Sequence, residues 1–470
     1  MAARIPLLIV TALLGAATLF TVVIRLSEAL AISPWEPAIA MEAMRLNTGL
    51  PLYENAHATH MYGPLLTVFL AGIFRVAGLN LLAGRIGFSI LAFALAFLLS
   101  AILCQSRKYR FISFILFLAI NFRTNLIFLS AQPDGAAALF GVAGLYLWAT
   151  PSNLWQRCVY SIAFFLCATL FKQTGAAFAL VPIIYSLIWK RRLGDVAISL
   201  VPAMSIVLML AVIRLIWPQT FFGIVTVPAS ITVNYNQALP IGAYLLATFP
   251  IFGIALLTRF FSQEVIDVRE RWILSAIVVL VPLSVWTTCK SGGGYSSLMF
   301  GYLALTAFFV LELDAIWQWI GSLRGWRTIV SAIVLAVAIL FSFLIQFRWD
   351  LALLFLRAGD EKYATAVIVA RRAADRVISP QDPTIAYRSS GYFGRSLFFE
   401  LDTHPVNGGW PSEIPESLRQ ELAQARYVMA VSSYVPTPMF EDALVKNHFQ
   451  PMDVADLRGS SYTLWRKGAE

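Results

Sequence analysis

The chain has 470 residues and a net charge of +9; 59% of its residues are hydrophobic and only 13% charged, with a mean hydropathy of +0.73. That balance excludes a soluble globular domain and points to a polytopic membrane protein, whose crossing helices must stay apolar over roughly 30 Å of hydrocarbon. The basic excess is not a nucleic-acid signal: residues 1–347 carry 21 Lys and Arg against 11 Asp and Glu, whereas residues 348–470 carry 14 against 15, so it belongs to membrane loops facing anionic headgroups.

In chain order the apolar runs predict about eleven spans. They lie near 6–24, 86–104, 111–131, 135–149, 158–171, 174–189, 196–217, 241–257, 272–289, 297–313 and 328–346. The first follows Arg4 and continues past Gly15, Ala16 and Ala17 to Ile24, which reads as an uncleaved span rather than a signal peptide. The run Leu65 to Gly78 is shorter, carries Arg75, and reads as an interfacial or re-entrant helix. Leaving it out puts the basic clusters 107–110, 190–192, Arg259 with Arg269 and Arg271, and Arg324 with Arg327 on one face, which the positive-inside rule makes cytoplasmic. The first outer loop, 25–84, then lies on the noncytoplasmic face with Asp134, Lys172 and Lys290. Cys104, Cys158, Cys167 and Cys289 lie in or at the ends of spans and read as small buried hydrophobes.

Composition changes near Arg348. A membrane domain, 1–347, gives way to a soluble domain, 348–470, whose alternating patterns predict a small α/β fold on the outer face. Helices are expected at 361–378 and 414–425, and strands at 384–387, 397–401, 427–432 and 461–465. No metal cluster, phosphate-binding glycine loop or nucleophile motif is evident in it.

The chemistry-bearing residues begin in the first outer loop. Ser33-Pro34-Trp35-Glu36 reads both as a capping box, with Gly49 placed to end the helix, and as a carboxylate held beside water and lipid. Glu42 lies on another face of that helix and reads as a solvated side. Asp134 is the only acid between Glu54 and Asp195; its Pro133-Asp134-Gly135 turn makes it a helix-capping residue or a functional acid at a span boundary. Lys172 and Lys290 are either snorkelling lysines or anion ligands, and the glycines after Lys290 allow close backbone approach. Arg75 and Arg85 are interfacial anchors or further cations, and Trp35, Tyr53 and Tyr62 are belt aromatics or the walls of a groove. His57 and His60 near Glu54 lack a third and fourth ligand, so a metal site is not expected.

Together these residues resemble the GT-C superfamily of membrane glycosyltransferases, in the branch with protein mannosyltransferases, the lipid A aminoarabinose transferase and rhizobial core galacturonosyl transferases. The resemblance covers most of the membrane region. It rests on an acid before the Gly49-x-Pro51-x-Tyr53 element, Tyr62-Gly63-Pro64-Leu65, Gly78-Leu79-Asn80 followed by Arg85, Pro133-Asp134, Lys172-Gln173, and Lys290 through Tyr295. Many relatives carry Asp-Glu or a lone Asp where this chain has Trp35-Glu36.

The resemblance implies an all-α polytopic protein with a C-terminal α/β domain. It implies an inverting transferase of the cell envelope, lipopolysaccharide assembly included, that moves a hexose or pentose from a polyprenyl-phosphate donor to a glycolipid, polysaccharide or protein acceptor on the noncytoplasmic face. Glu36 matches the acidic base and Asp134 the second acid. Lys172, Gln173, Lys290, Arg85, Tyr53, Tyr62 and Tyr295 are the expected substrate-binding residues, and with cations supplied by the chain a divalent metal is not required. The alternative is a transporter or flippase for a lipid-linked sugar, in which the same side chains bind cargo; no internal repeat supports it.

Overall fold

A computed structural model describes residues 5–27, 35–53, 61–104, 107–124, 130–150, 153–262, 265–291, 293–344, 360–403, 413–432 and 437–468. The chain divides into two compact units interleaved in sequence. The first comprises 1–23, 88–211 and 233–348; the second comprises 24–87, 212–232 and 349–470. Among the described residues seven helices are long and apolar enough to cross a membrane, and an eighth crossing results if Tyr235–Ala247 and Pro250–Phe261, bent by 74° at their junction, form one broken span. The protein is a multi-pass membrane protein.

The other expected spans take different forms. Tyr109–Phe122 and Asp134–Ala149 are apolar helices too short to pass as full crossings. Residues 173–190 wind successively as a 3-10 helix (Gln173–Leu180), an α-helical turn (Val181–Tyr185) and a π turn (Ser186–Lys190). The bend in the broken span has a chemical cause: Pro250 cannot donate the hydrogen bond that would continue the preceding helix, so it starts a new one.

In the first unit the Met299–Ser322 helix forms the centre. Its apolar window is 83% buried, against 22% for Leu193–Ile216 and Val268–Thr288, whose outer faces carry Leu208, Leu215 and Val278 toward the lipid zone. Helices in hydrocarbon gain little from apolar contact alone and approach through small residues and hydrogen bonds. Accordingly the Gly301 amide donates to Ser284 Oγ of the neighbouring Val268–Thr288 helix at 2.9 Å. Gly141 plays the same part where the Asp134–Ala149 helix meets residues 173–180: a β-carbon there would lie 2.3 Å from the Phe178 ring.

In the second unit the Trp35–Asn47 helix packs on Pro64–Ala77, the short helix read as interfacial, and Asn47 Nδ2 donates to the Ala71 carbonyl at 2.9 Å. Gly49 ends the first of these helices as its spacing predicted. It takes φ 83°, while its amide bonds to Leu46 O and the Leu50 amide reaches Arg45 O, the paired bonds of a Schellman stop.

The C-terminal region of this unit carries a four-stranded sheet: β1 (Val377–Ile378), β2 (Tyr427–Val431), β3 (Phe449–Pro451) and β4 (Tyr462–Lys467), in the order β1-β2-β4-β3. β1 and β2 are parallel and the other pairings antiparallel. The unbroken apolar run of β2 reflects burial on both faces: Val428 and Ala430 join Leu418, Leu422 and Phe440, while Tyr427, Met429 and Val431 join Val367, Ile385 and Leu464.

Several details differ from the sequence expectation, the unexpected strands β1 and β3 among them. Residues 384–387 and 397–401, expected as strands, lie in the helices Pro383–Ser390 and Leu397–Thr403. The reason in the first case is local: Asp382 caps the helix through the Thr384 amide, Pro383 occupies the first turn, and Gly391 at φ 73° closes it. The helix expected over 361–378 stops at Arg372, and the Thr437–Lys446 helix was not anticipated.

The packing at Gly141 predicts that Gly141→Ala lowers stability by about 1–3 kcal/mol, because the buried Phe178 ring must shift. Gly253→Ala meets nothing within 4 Å and is expected to be neutral or slightly stabilising. Thermal unfolding of the two variants in detergent separates these outcomes.

Candidate active site

Glu36 lies in the first turn of the Trp35–Asn47 helix, and Arg85 lies in the first turns of Leu81–Leu103. Both side chains are fully buried. Arg85 donates from Nε to Glu36 Oε1 at 2.9 Å and from Nη2 to Oε2 at 2.7 Å, a fork-to-fork ion pair. Arg85, expected as a cation for the lipid phosphate, thus has its charge engaged by the acid expected as base. Ser33 and Pro34 of the capping box lie outside the described residues, as do Glu54, His57 and His60.

The tyrosines of this loop also take specific places. Tyr53, expected to line a groove, is buried at φ 58°, and its hydroxyl donates to the Tyr62 carbonyl at 2.6 Å, so it braces the loop from within. Burial, with the charge of half-buried Glu42 adding to it, pushes the Tyr53 phenol well above its ordinary value. Tyr62 is half-buried.

The C-terminal region adds an acid to the same unit. Asp382 is fully buried; its Oδ1 accepts hydrogen bonds from the Thr384 amide and hydroxyl, and the Thr384 hydroxyl also bonds the Tyr363 phenol at 2.7 Å. Burial pushes the Asp382 carboxyl up to about 6, against the Thr384 bonds and the Arg388 charge, and the negative charge of Glu36 adds to the rise. Further contacts knit the outer loop to this region: the Trp35 and Phe398 rings lie 5.6 Å apart, and Arg388 Nη2 donates to Leu79 O at 2.7 Å.

The first unit carries a second acid and cation pair. Asp134 opens the Asp134–Ala149 helix, where the positive end of the helix dipole favours a carboxylate, and Lys172 follows the Leu154–Phe171 helix. Lys172 Nζ lies 2.6 Å from Asp134 Oδ1, with the carboxylate side chain 4% and the lysine 16% exposed. Gln173 is half-buried and begins the following 3-10 segment. Gly175 sets the path of that segment, since a β-carbon there would lie 2.4 Å from the Ala168 carbonyl oxygen.

Lys290 follows the Val268–Thr288 helix, with its ammonium 4.4 Å from the centre of the Trp286 ring and its backbone bridged to Val233. Partial burial lowers its pKa. Gly293 folds back on the end of that helix, where a β-carbon would meet the Thr287, Thr288 and Lys290 carbonyls. Tyr295 begins a 3-10 turn, and its side chain lies outside the described residues. No three His, Cys, Asp or Glu side chains converge as metal ligands among the described residues.

No protein-family model matches the sequence, and no curated protein matches it significantly. Solved structures do. ArnT from Cupriavidus metallidurans aligns over 98% of this chain and 99% of its own, at 14% identity, with TM-scores of 0.55 in its apo state and 0.56 bound to undecaprenyl phosphate. The archaeal oligosaccharyltransferase AglB from Archaeoglobus fulgidus, in complex with an inhibitory peptide and a dolichol-phosphate, aligns over 94% of this chain and 72% of its own at 11% identity and a TM-score of 0.52. The chain has the GT-C fold.

One buried charge in the apolar region was missed from sequence. Arg123 lies inside the apolar run 111–131, and an arginine at that position was itself the signal. It is fully buried, donates to Thr248 Oγ1 at the break of the bent span and to the Tyr302 hydroxyl at 2.8 Å, and faces the Tyr302 ring at 4.9 Å. Its Nε and Nη1 have no hydrogen-bond partner among the described residues. Asp382 was also passed over, although Asp382-Pro383 is a helix-start signal that sequence reading can find.

Two tests follow from these geometries. Arg85→Met leaves a buried carboxylate uncompensated and is expected to cost about 3–5 kcal/mol, whereas Glu36→Gln with Arg85→Met costs less than the sum of the single changes; thermal unfolding of all three variants measures the coupling. For Asp382 the folded carboxyl keeps its proton up to about pH 6, whereas the unfolded one releases it near 3.8. The folded state therefore binds more protons between those values, so stability should fall as pH rises through that window and level off above it. Asp382→Asn keeps a cap and should flatten that slope in melting curves recorded from pH 4 to 7.

Proposed function

We propose that this protein is a membrane glycosyltransferase that moves a hexosyl or pentosyl group, with inversion, from a polyprenyl-phosphate donor to a glycolipid, polysaccharide or protein acceptor on the noncytoplasmic face. The observation that carries this reading is the alignment over nearly the whole of both chains with an ArnT structure that holds undecaprenyl phosphate. AglB, with its dolichol-phosphate and inhibitory peptide, adds a second GT-C protein bound to a lipid phosphate. Charge is consistent with it: counted over the eleven apolar runs of the sequence, loop parity puts the basic clusters opposite Glu36, Asp134, Lys172 and Lys290.

In this reaction the acceptor hydroxyl attacks the anomeric carbon, the bond from that carbon to the phosphate oxygen breaks, and its electron pair leaves on the phosphate. Glu36 takes the hydroxyl proton, with Arg85 as the positioning residue that orients the carboxylate. Asp134 orients the acceptor or meets the positive charge that develops on the sugar ring. Lys172, Gln173 and Lys290 receive the lipid phosphate, whose growing charge in the transition state gives these cations their effect on rate. Tyr62 and Tyr295 line the sugar path. Because side chains supply the positive charge, the reaction proceeds without a divalent metal.

Purified Glu36→Gln and Asp134→Asn proteins are each expected to lose at least about 100-fold in transfer from a polyprenyl-phosphate sugar, while wild-type transfer persists in excess chelator. Wild-type rates in Glu36→Gln would remove that residue from the base role. Movement of labelled lipid-linked sugar across vesicles by wild type, with no glycosylated product, would replace the enzyme by a transporter.

A further inference from the structure

The C-terminal region contains a groove of about 510 Å³, open to solvent, that no proposed catalytic residue lines. Its walls come from the end of the Asp360–Arg372 helix, the residues leading into β1, and the end of the Pro383–Ser390 helix. The chemistry-bearing side chains in it are Arg371, Arg376, Asp375, Ser389, Ser390 and Tyr392. A volume of that size is in the ordinary range for a small-molecule site.

Two arginines supply the positive charge of this groove. Elsewhere in the C-terminal region Arg372, Arg395, Arg419, Arg426 and Arg458 each pair with a carboxylate. Arg371 and Arg376, like Arg388 and Arg466, form no ion pair among the described residues, but these two line one groove together, with the Asp375 carboxylate beside them and the Arg376 charge reaching Glu421. Both are held in place by other means. Arg371 Nη2 donates to the Arg388 carbonyl at 2.9 Å, and the Arg376 guanidinium stacks 3.9 Å from the centre of the Tyr392 ring. The ring is itself fixed by a 2.8 Å hydrogen bond from its hydroxyl to Glu421. A guanidinium laid on an aromatic face keeps its edge N–H groups free to grip a planar or tetrahedral anion.

The remaining wall is built of acceptors. Ser389 and Ser390 each donate to the Ala386 carbonyl at 3.0 Å, which leaves their oxygen lone pairs for an incoming hydroxyl. Asp375 holds Arg426 through Oδ2 at 2.8 Å, and its other oxygen can accept as well. Guanidinium donors together with hydroxyl and carboxylate acceptors in one groove match a ligand that carries an anionic group on a polyhydroxylated ring.

We propose that this groove binds an acidic saccharide, with its carboxylate or phosphate on Arg371 and Arg376 and its ring hydroxyls on Ser389, Ser390 and Asp375. The site stands apart from the transferase reading and is tested without any measurement of transfer. The full-length protein in a zwitterionic detergent is titrated calorimetrically with glucuronate, glucose 6-phosphate and glucose. Saturable binding of the two anionic sugars, at least ten-fold tighter than glucose and weakened at least ten-fold in Arg371→Gln/Arg376→Gln, is the expected result. Ser390→Trp, which fills the groove and leaves both arginines in place, should abolish binding as well and guards against misfolding of the double variant. Equal affinity in wild type and both variants, or binding of glucose as tight as that of the anions, would overturn the proposal. Competition by phosphatidylglycerol in the micelle, with no binding of either acidic sugar, would reassign the groove to lipid headgroups and equally overturn it.

Discussion

A charge beside or inside a bilayer persists in a fold only where another charge, a hydrogen-bonding group or an aromatic face meets it, because water is scarce there and an isolated ion is costly. Much of this protein's architecture follows from that constraint. Glu36 is met by Arg85, Asp134 by Lys172, Lys290 by the Trp286 ring, and Arg123 by a threonine, a tyrosine hydroxyl and the ring that bears it. Except for Lys290 on Trp286, each pairing joins segments distant in sequence, so satisfying those charges and closing the fold are one process.

The Glu36 and Arg85 pair shows how this organises the second unit. The pair fastens the Trp35–Asn47 helix to the start of Leu81–Leu103, and Trp35 packs on Phe398 from the C-terminal region. Asp382, from that same region, lies near enough for the charge of Glu36 to raise its pKa. The first outer loop and the C-terminal region are thus electrostatically coupled as well as packed. A substituent in either segment bears on the carboxylate proposed as base.

Much of the fold was legible because its rules are local. Apolar length marks the crossing helices, Gly49 marks a helix end, and the unbroken apolar run of β2 marks a strand buried on both faces. The errors arose where local and non-local preferences compete. Residues 384–387 have strand-like composition, but Asp382, Pro383 and Gly391 bracket them with helix start and stop signals that prevail. Residues 173–190 are apolar enough to suggest one straight span, yet the backbone contact of Gly175 with Ala168 and the ring of Pro182 favour a segment of mixed winding. Arg123 was hidden by the hydrophobicity of its neighbours, since an average over a window conceals one charge.

The sequence by itself determined the class of protein and the residue types available for chemistry, because composition and period depend only on what is near in the chain. It could not determine partners. Which cation meets Glu36, whether Arg85 is free for a phosphate, and which side chains of the C-terminal region line one groove depend on contacts between residues well separated in the chain. Those contacts arise only when helices pack, and a shift of one residue in a helix turns a side chain by about 100°. Tertiary structure therefore decided how the charges are matched.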